Sequence, residues 1–408
     1  MRLKTAPCCS YIGEQMFDVL PDELISHVAA CLPLPIDAAR LLGCCKAAGA
    51  VWARRGTHIA AEWLLRWRRT DCLVRASGSP DVLETLLARG IRSCLGAALT
   101  SAIMDTASTG KGDVVRICRA LLATGELRQD AASIALYYAC HKGNAQVAML
   151  LLSSFTTFPK EVLASAAAAA GSTGILAIIL EIVARMPASS QRHALLGALK
   201  AASQVGDDAT VERLISRLSD GGDADDEAEG GDANSSLCCA AAAGHASTVS
   251  LLLDKLSVRD RGDLGYPLRL AARYGNVTAV RRILQADKGP RPCARDGPTG
   301  AAFMAIWDAI ASWHIDVARL LLGPEGGADA DTAIHAAALH DVPDVVDIVA
   351  DVSLLPIDAT GPMCDAIRLG HCAVAKRIMA CLAYDVNVAI CHATTFQRAD
   401  VLHALLSI

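Results

Sequence analysis

The chain has 11 histidines, 16 cysteines and 43 Asp or Glu residues, the types from which metal, acid–base and nucleophilic sites are made. Their spacing composes none of the common ones. There is no H-E-x-x-H to bring two imidazoles onto one helical face around zinc, no G-x-S-x-G nucleophile turn and no G-x-G-x-x-G dinucleotide loop. The nearest phosphate-loop candidate is Thr109-Gly110-Lys111-Gly112-Asp113. A phosphate loop would need glycine at position 105, which is Asp105, and Ser or Thr after the lysine, where Gly112 stands. No C-x-x-C occurs, and no Cys and His residues have zinc-finger spacing. Cys8-Cys9, Cys44-Cys45 and Cys238-Cys239 are neighbours too close for ordinary bridges. Cys118, Cys140, Cys239 and Cys364 fall at apolar helical positions. Such cysteines act as small hydrophobes, which suits a reducing compartment. The residues therefore predict no catalytic group, no metal site and no cofactor, so the chain is expected not to be an enzyme.

What the residues do build is helices. In GYPLRLAARYGNVTAVRRILQAD (265–287), Leu268, Ala271 and Ala272 share one helical face. Tyr274-Gly275-Asn276 breaks the pattern with residues that tolerate left-handed backbone. Ala279, Val280, Ile283 and Leu284 then resume it. This is helix–turn–helix, with alanines where two helices approach closely. The frame Leu-x-x-Ala-x-x-x-Gly recurs at Leu136/Ala139/Gly143, Leu199/Ala202/Gly206, Leu237/Ala240/Gly244 and Leu268/Ala271/Gly275, and with Met363 at Ala366/Gly370. Weaker copies are Ile306/Ala309/Trp313, Ile334/Ala337/Asp341 and Ile390/Ala393/Gln397. Gly78, Gly110 and Gly171 mark three more turns. A second apolar helix follows each turn, as in VAMLLL (147–152), VSLLL (249–253), VARLLL (317–322) and VLHALL (401–406). A period of about 32 residues belongs to repeat arrays.

YPLRLAARYGN (266–276) resembles the TPLHxAAxxG signature of ankyrin repeats, with Tyr266 and Arg269 replacing Thr and His. IHAAALHD (334–341) keeps the histidine as His335, and GGADAD (326–331) resembles the loop before a repeat. The resemblance covers roughly 72–408 and implies an all-α fold, an α-solenoid of about eleven partly degenerate ankyrin repeats. It implies a protein-binding surface on loop tips and first helices, with Tyr266, Arg269, Tyr274, Trp313 and His340 as candidate target contacts.

Residues 16–57 lie outside the repeat. After residues 1–15, an N-terminal tail without the apolar core of a signal peptide, LPDELISHVAACLP (20–33) sets Leu20, Leu24, Val28 and Leu32 every fourth residue, with Ile25 broadening the stripe. Pro21, Asp22 and Glu23 suit a helix start, and Pro33 and Pro35 end it. Two further short helices, around Leu41–Leu42 and Cys45–Trp52, complete a unit too small for a sufficient core of its own. The stretch resembles an F-box, the three-helix unit that binds the Skp linker of cullin–RING (SCF-type) ubiquitin ligases. Ala48 stands where that family has Trp, and Trp52 lies one helical turn on. The resemblance implies a linker contact by Leu20, Pro21, Leu24, Ile25, Val28 and Leu32, supported by Leu41 and Cys45. An F-box followed by ankyrin repeats is a combination also found in large DNA viruses that redirect host ubiquitination.

Residues 58–71, with Trp63, Leu64 and Trp67 among arginines, are expected to form a connecting helix. The segment 219–236 holds seven carboxylates and no base, and removing those seven charges turns the chain's net −5 into +2. It is expected to be a solvated loop inside the array. Val162–Leu180 is uncharged but fits the repeat frame, so no membrane span is expected. The sequence thus points to an adaptor with two partners, a Skp-family linker and an unknown protein target, and to no nucleic acid, membrane or small-molecule substrate. Cytoplasm or nucleus of a eukaryotic cell is the expected location, not secretion.

Overall fold

A computed structural model describes residues 57–66, 71–104, 111–220, 230–256, 263–286, 301–324, 326–353 and 357–406. The eight residues assigned to the linker contact, Leu20, Pro21, Leu24, Ile25, Val28, Leu32, Leu41 and Cys45, lie outside these.

The chain divides into two compact units, Met1–Met186 and Pro187–Ile408. In the first, residues 57–66 are helical and precede α1 (Cys72–Arg75), α2 (Pro80–Ala88), α3 (Leu95–Met104), α4 (Lys111–Leu122), α5 (Gln129–His141), α6 (Ala145–Ser154), α7 (Lys160–Gly171) and α8 (Leu176–Ala184). The odd-numbered helices pack on one another as one row and the even-numbered as a second. The second unit repeats the arrangement with α9 (Ala188–Val205), α10 (Asp208–Asp220), α11 (Gly230–Ala243), α12 (Ala246–Lys255), α13 (Gly265–Arg273), α14 (Val277–Ala286), α15 (Ala301–Ala311), α16 (Ile315–Leu322), α17 (Ala330–His340), α18 (Pro343–Val352), α19 (Thr360–Leu369), α20 (Cys372–Cys381), α21 (Val386–Thr395) and α22 (Ala399–Leu406). Among the described residues, four helix pairs in one unit and seven in the other match the roughly eleven that the periodicity predicts. Between pairs, a parallel bridge joins Asp358 to Ala383, before α19 and α21.

The frame residues explain the pairing. Leu136, Ala139, Leu199, Ala202, Leu237, Ala240, Ala271, Ile306, Ala309, Ile334, Ala337, Met363, Ala366 and Ala393 are all fully buried or nearly so. Alanine at the crossing lets backbones approach. Gly96 shows how close: a Cβ placed there would lie 2.5 Å from the Ala131 methyl group of the neighbouring first helix. Leu, Ile and Val from the second helices fill the rest. No Phe, Tyr or Trp belongs to the buried core among the described residues.

Nine of the turns are closed by the same hydrogen bond. The amide five residues beyond the frame alanine donates back to that alanine's carbonyl, at 2.8–3.2 Å, for Ala139, Ala170, Ala202, Ala240, Ala271, Ala309, Ala337, Ala366 and Ala393. This is the 6→1 bond of a Schellman end, which places the residue before the donating amide in the left-handed region. Gly143, Gly206, Gly244, Gly275 and Gly370 take that position, and so do Trp313, Asp341 and Gln397, with φ of 62°, 57° and 55°.

Two expectations change. The turn assigned to Gly171 falls at Gly174, whose φ is +67°, and α7 runs through Gly171. The alanine run 166–170 satisfies the frame in several registers. Packing selects Ala170, whose carbonyl receives the closing bond from Ile175. The acidic segment is also narrower than 219–236. Ser219 and Asp220 end α10, and Gly230 opens α11, where Ala233, Ser236 and Leu237 are buried. Gly78 lies between α1 and α2 without positive φ, and Gly110 is outside the described residues.

The ten described cysteines are free thiols. Burial pushes Cys118, on α4, and Cys140, on α5, up to about 12. A thiol whose pKa is raised by folding stabilises the fold below its ordinary value and loses that contribution as pH rises through the shifted one. Stability of this unit is therefore expected to fall above about pH 9. At pH 8, iodoacetamide is expected to label exposed Cys381 and Cys391 and to spare Cys118 and Cys140 until the chain is unfolded, as peptide mass spectrometry would show.

Candidate protein-binding surface

The first helices leave one face free, and the second unit sets its large side chains there. On α13, Tyr266, Arg269 and Arg273 follow at spacings of three and four, with Tyr274 next. Tyr266 is 55 % and Tyr274 57 % exposed. Arg269 is held rather than free. Its Nε donates to Asp308 Oδ2 on α15 at 2.9 Å, a half-buried ion pair that ties adjacent first helices together. Arg273 is exposed and has no carboxylate in ion-pair reach among the described residues.

One pair further on, Phe303 and Trp307 stack on α15 with centroids 6.3 Å apart, and the Trp307 ring meets His340 of α17 edge-on at 5.8 Å. Trp313, the left-handed residue that closes α15, is 59 % exposed. The five candidate contacts therefore lie on three consecutive pairs: Tyr266 and Arg269 on α13 with Tyr274 just after it, Trp313 after α15, and His340 at the end of α17. Sequence reasoning did not single out Phe303, Trp307 or Asp308. The frame itself held the signal, because Trp307 stands two residues before Ala309 as Arg269 stands two before Ala271. It likewise left aside Ile134 and Tyr137 of α5 in the first unit, both exposed, with Tyr137 edge-on to Tyr138 at 5.5 Å.

Replacing Asp308 by alanine is expected to strand Arg269 against a half-buried wall and to cost about 1 kcal/mol, a loss that urea unfolding resolves.

A polar ladder stiffens this face. Side chains near five of the turns reach back to carbonyls at the end of the preceding first helix. Thr173 Oγ1 donates to the Cys140 carbonyl at 3.1 Å, and His245 Nε2 to that of Gln204 at 3.1 Å. Asn276 Nδ2 donates to those of Ala241 and Ala242 at 2.6 and 3.1 Å. His371 Nδ1 donates to Ala338 at 2.7 Å, and Arg398 to Ile367 and Arg368 at 3.1 and 3.2 Å. Since a carbonyl only accepts, the imidazole nitrogens at these rungs carry the proton. Helix-end carbonyls with no intrahelical partner are thus satisfied by the next pair. His245 and His371 serve structure here.

Among the described residues no group of three or more His, Cys, Asp or Glu could hold a metal ion, and no helix is long and apolar enough to cross a membrane. Burial raises the thiols of Cys118, Cys140, Cys238, Cys239, Cys364 and Cys372. The surface offers rings, one unpaired guanidinium and ordered backbone, which suits holding another protein.

No curated protein matches the chain. A family model described as ankyrin repeats, in three copies, matches residues 199–296, from α9 through α14. That match does not extend to 20–33. The stacked pairs, their left-handed turns and this match agree over 199–296: this part of the chain carries ankyrin repeats, a protein-interaction architecture.

Proposed function

We propose that the chain is an adaptor that brings a protein target, held by its repeats, to an SCF-type ubiquitin ligase bound through residues 16–57. One observation carries the ligase half of this reading: LPDELISHVAACLP (20–33), an F-box-like stretch with a dense apolar stripe, precedes the repeats. A stripe of that density on a unit of some forty residues calls for a covering partner. Leu20, Pro21, Leu24, Ile25, Val28 and Leu32 make the linker contact, and Leu41 and Cys45 support it. The target lies along the faces carrying Tyr266, Tyr274, Trp313 and His340, with Arg269 shaping the wall. The adaptor does no chemistry of its own; the ligase supplies it.

The test is a pull-down of the full chain with purified Skp linker. Binding that Leu20→Asp and Leu24→Asp each abolish supports the adaptor. Absence of binding by folded wild-type chain removes it. What then remains is the second reading, a repeat scaffold that holds one partner without ubiquitin machinery, which Ala48 in place of the F-box tryptophan favours.

A further inference from the structure

The pair α9–α10 overshoots the pair that follows it. α9 and α10 have 18 and 13 residues, α11 and α12 have 14 and 10. The two pairs are aligned at their turns by the left-handed Gly206 and Gly244, so the surplus lies at the opposite end. There the opening of α9 and the close of α10 run past their neighbours, and a cavity of about 140 Å³ is left between the pairs. Leu196, Ile215, Leu218, Ala233 and Leu256 wall it, all of them buried except the half-buried Leu218. Arg192, Ser219 and Lys255 complete the lining. Ser219 and Lys255 are exposed, so the cavity opens to water on their side.

Size and charge describe what fits. An apolar cavity of about 150 Å³ is enough to hold benzene. The polar part of the lining has two bases and a hydroxyl and no carboxylate. Lys255 lies 3.6 Å from Glu212, but both side chains are 54 % exposed, and such a pair is weak and exchangeable. A guanidinium has five donors and serves more than one acceptor. An apolar hollow beside two cations suits a bulky apolar group next to a carboxylate. The cavity also adjoins the surface described above. Asn234, beside Ala233, donates through Nδ2 to the Asp263 carbonyl at 3.0 Å, and Asp263 Oδ1 accepts from the amide of Gly265 at 2.9 Å, at the start of the helix that carries Tyr266. We propose that the cavity is an anchor site for the protein held by the repeats, taking a Leu-, Met- or Phe-sized side chain whose neighbouring Asp or Glu pairs with Lys255 and Arg192. This rests on the reading that the repeats hold a protein target and does not depend on the ligase half of it.

The test uses the full chain and a phage-displayed library of random peptides. Peptides enriched on wild-type protein are re-bound to Ala233→Leu and Lys255→Gln variants. Ala233→Leu sends its added carbons into the hollow, so it is expected to fill the site and to be at least as stable as wild type in urea. Lys255→Gln changes an exposed side chain and leaves the hollow empty. The expected result is that enriched peptides set a large apolar residue beside Asp or Glu. Affinity falls about tenfold on Ala233→Leu, and about threefold on Lys255→Gln or when the peptide's acid becomes its amide. The fragment 3-phenylpropionate, a ring with a carboxylate, displaces these peptides. Loss of binding together with unchanged or raised stability separates a contact from a structural role. Peptides that lack the apolar–acidic pair, or that bind Ala233→Leu as tightly as wild type, overturn the anchor site while leaving the repeats as a binding surface. If Ala233→Leu does not fold, peptides indifferent to both Lys255→Gln and 3-phenylpropionate overturn it instead. Peptides that bind only after Asp223, Asp225, Asp226, Glu227 and Glu229 are changed to Asn or Gln would make the chain's own acidic run the occupant, and overturn the site for a target. A library that enriches nothing on either form of the folded chain overturns the anchor site and the target-holding reading together.

Discussion

Gly275→Ala is expected to destabilise the second unit by about 2–3 kcal/mol. Two costs add at this position. Its φ is +73°, where an L residue with a Cβ pays roughly 1–2 kcal/mol. The new methyl would also lie 2.5 Å from Nδ1 of His314, whose ring covers the glycine from the next pair. The ring must move, and the contact between the α13 and α15 pairs moves with it. Gly143→Ala is the control. Its φ is +70°, but the added Cβ meets Thr173 at an ordinary 3.6 Å. Only the backbone cost remains there, about 1 kcal/mol. Urea unfolding of the two variants measures the difference. Equal losses would show that the imidazole yields freely and that φ alone decides.

The second large effect belongs to the first unit. Leu151 of α6 is fully buried in the row where α4, α6 and α8 meet. Leu151→Ala is expected to cost about 3 kcal/mol, from lost transfer energy plus the cavity left behind. A stack of pairs transmits such damage mainly to nearest neighbours. Hydrogen exchange should therefore quicken in α4 to α8 and stay unchanged in the helices of the second unit. Uniform loss of protection across both units would show that the chain unfolds as one body, against its division at Met186.

Much of this was legible because the frame has a physical cause. A helix pair that must approach closely needs alanine at the crossing, and a chain that must reverse needs a left-handed residue four positions on. Those demands recur with the repeat, so Ala271 and Gly275 could be read from sequence, as could Ala139 and Gly143. The same logic placed turns at Trp313, Asp341 and Gln397, where no glycine announces them. It slipped at Gly171 because a run of alanines removes the large apolar marker that sets register. It also extended the acidic loop too far, since Asn234-Ser235-Ser236 reads as polar while Leu237 and Cys239 behind it draw the segment into α11. The binding surface was less legible. Tyr266, Tyr274 and Trp313 stand out as large side chains off the apolar face. The Arg269–Asp308 pair and the stack of Phe303 on Trp307 depend on how two helices dock, which periodicity does not encode.

The ladder of side chains has a direction. Each rung is donated by a later pair to an earlier one, from 30 to 41 residues further along the chain. During synthesis the end of each first helix therefore emerges from the ribosome before its donor has been made. A nascent pair carries open carbonyls until its successor follows, and folding lags translation by one repeat. Truncation from the C-terminus that removes a rung exposes such an end, whereas truncation from the N-terminus leaves only a spare donor in water.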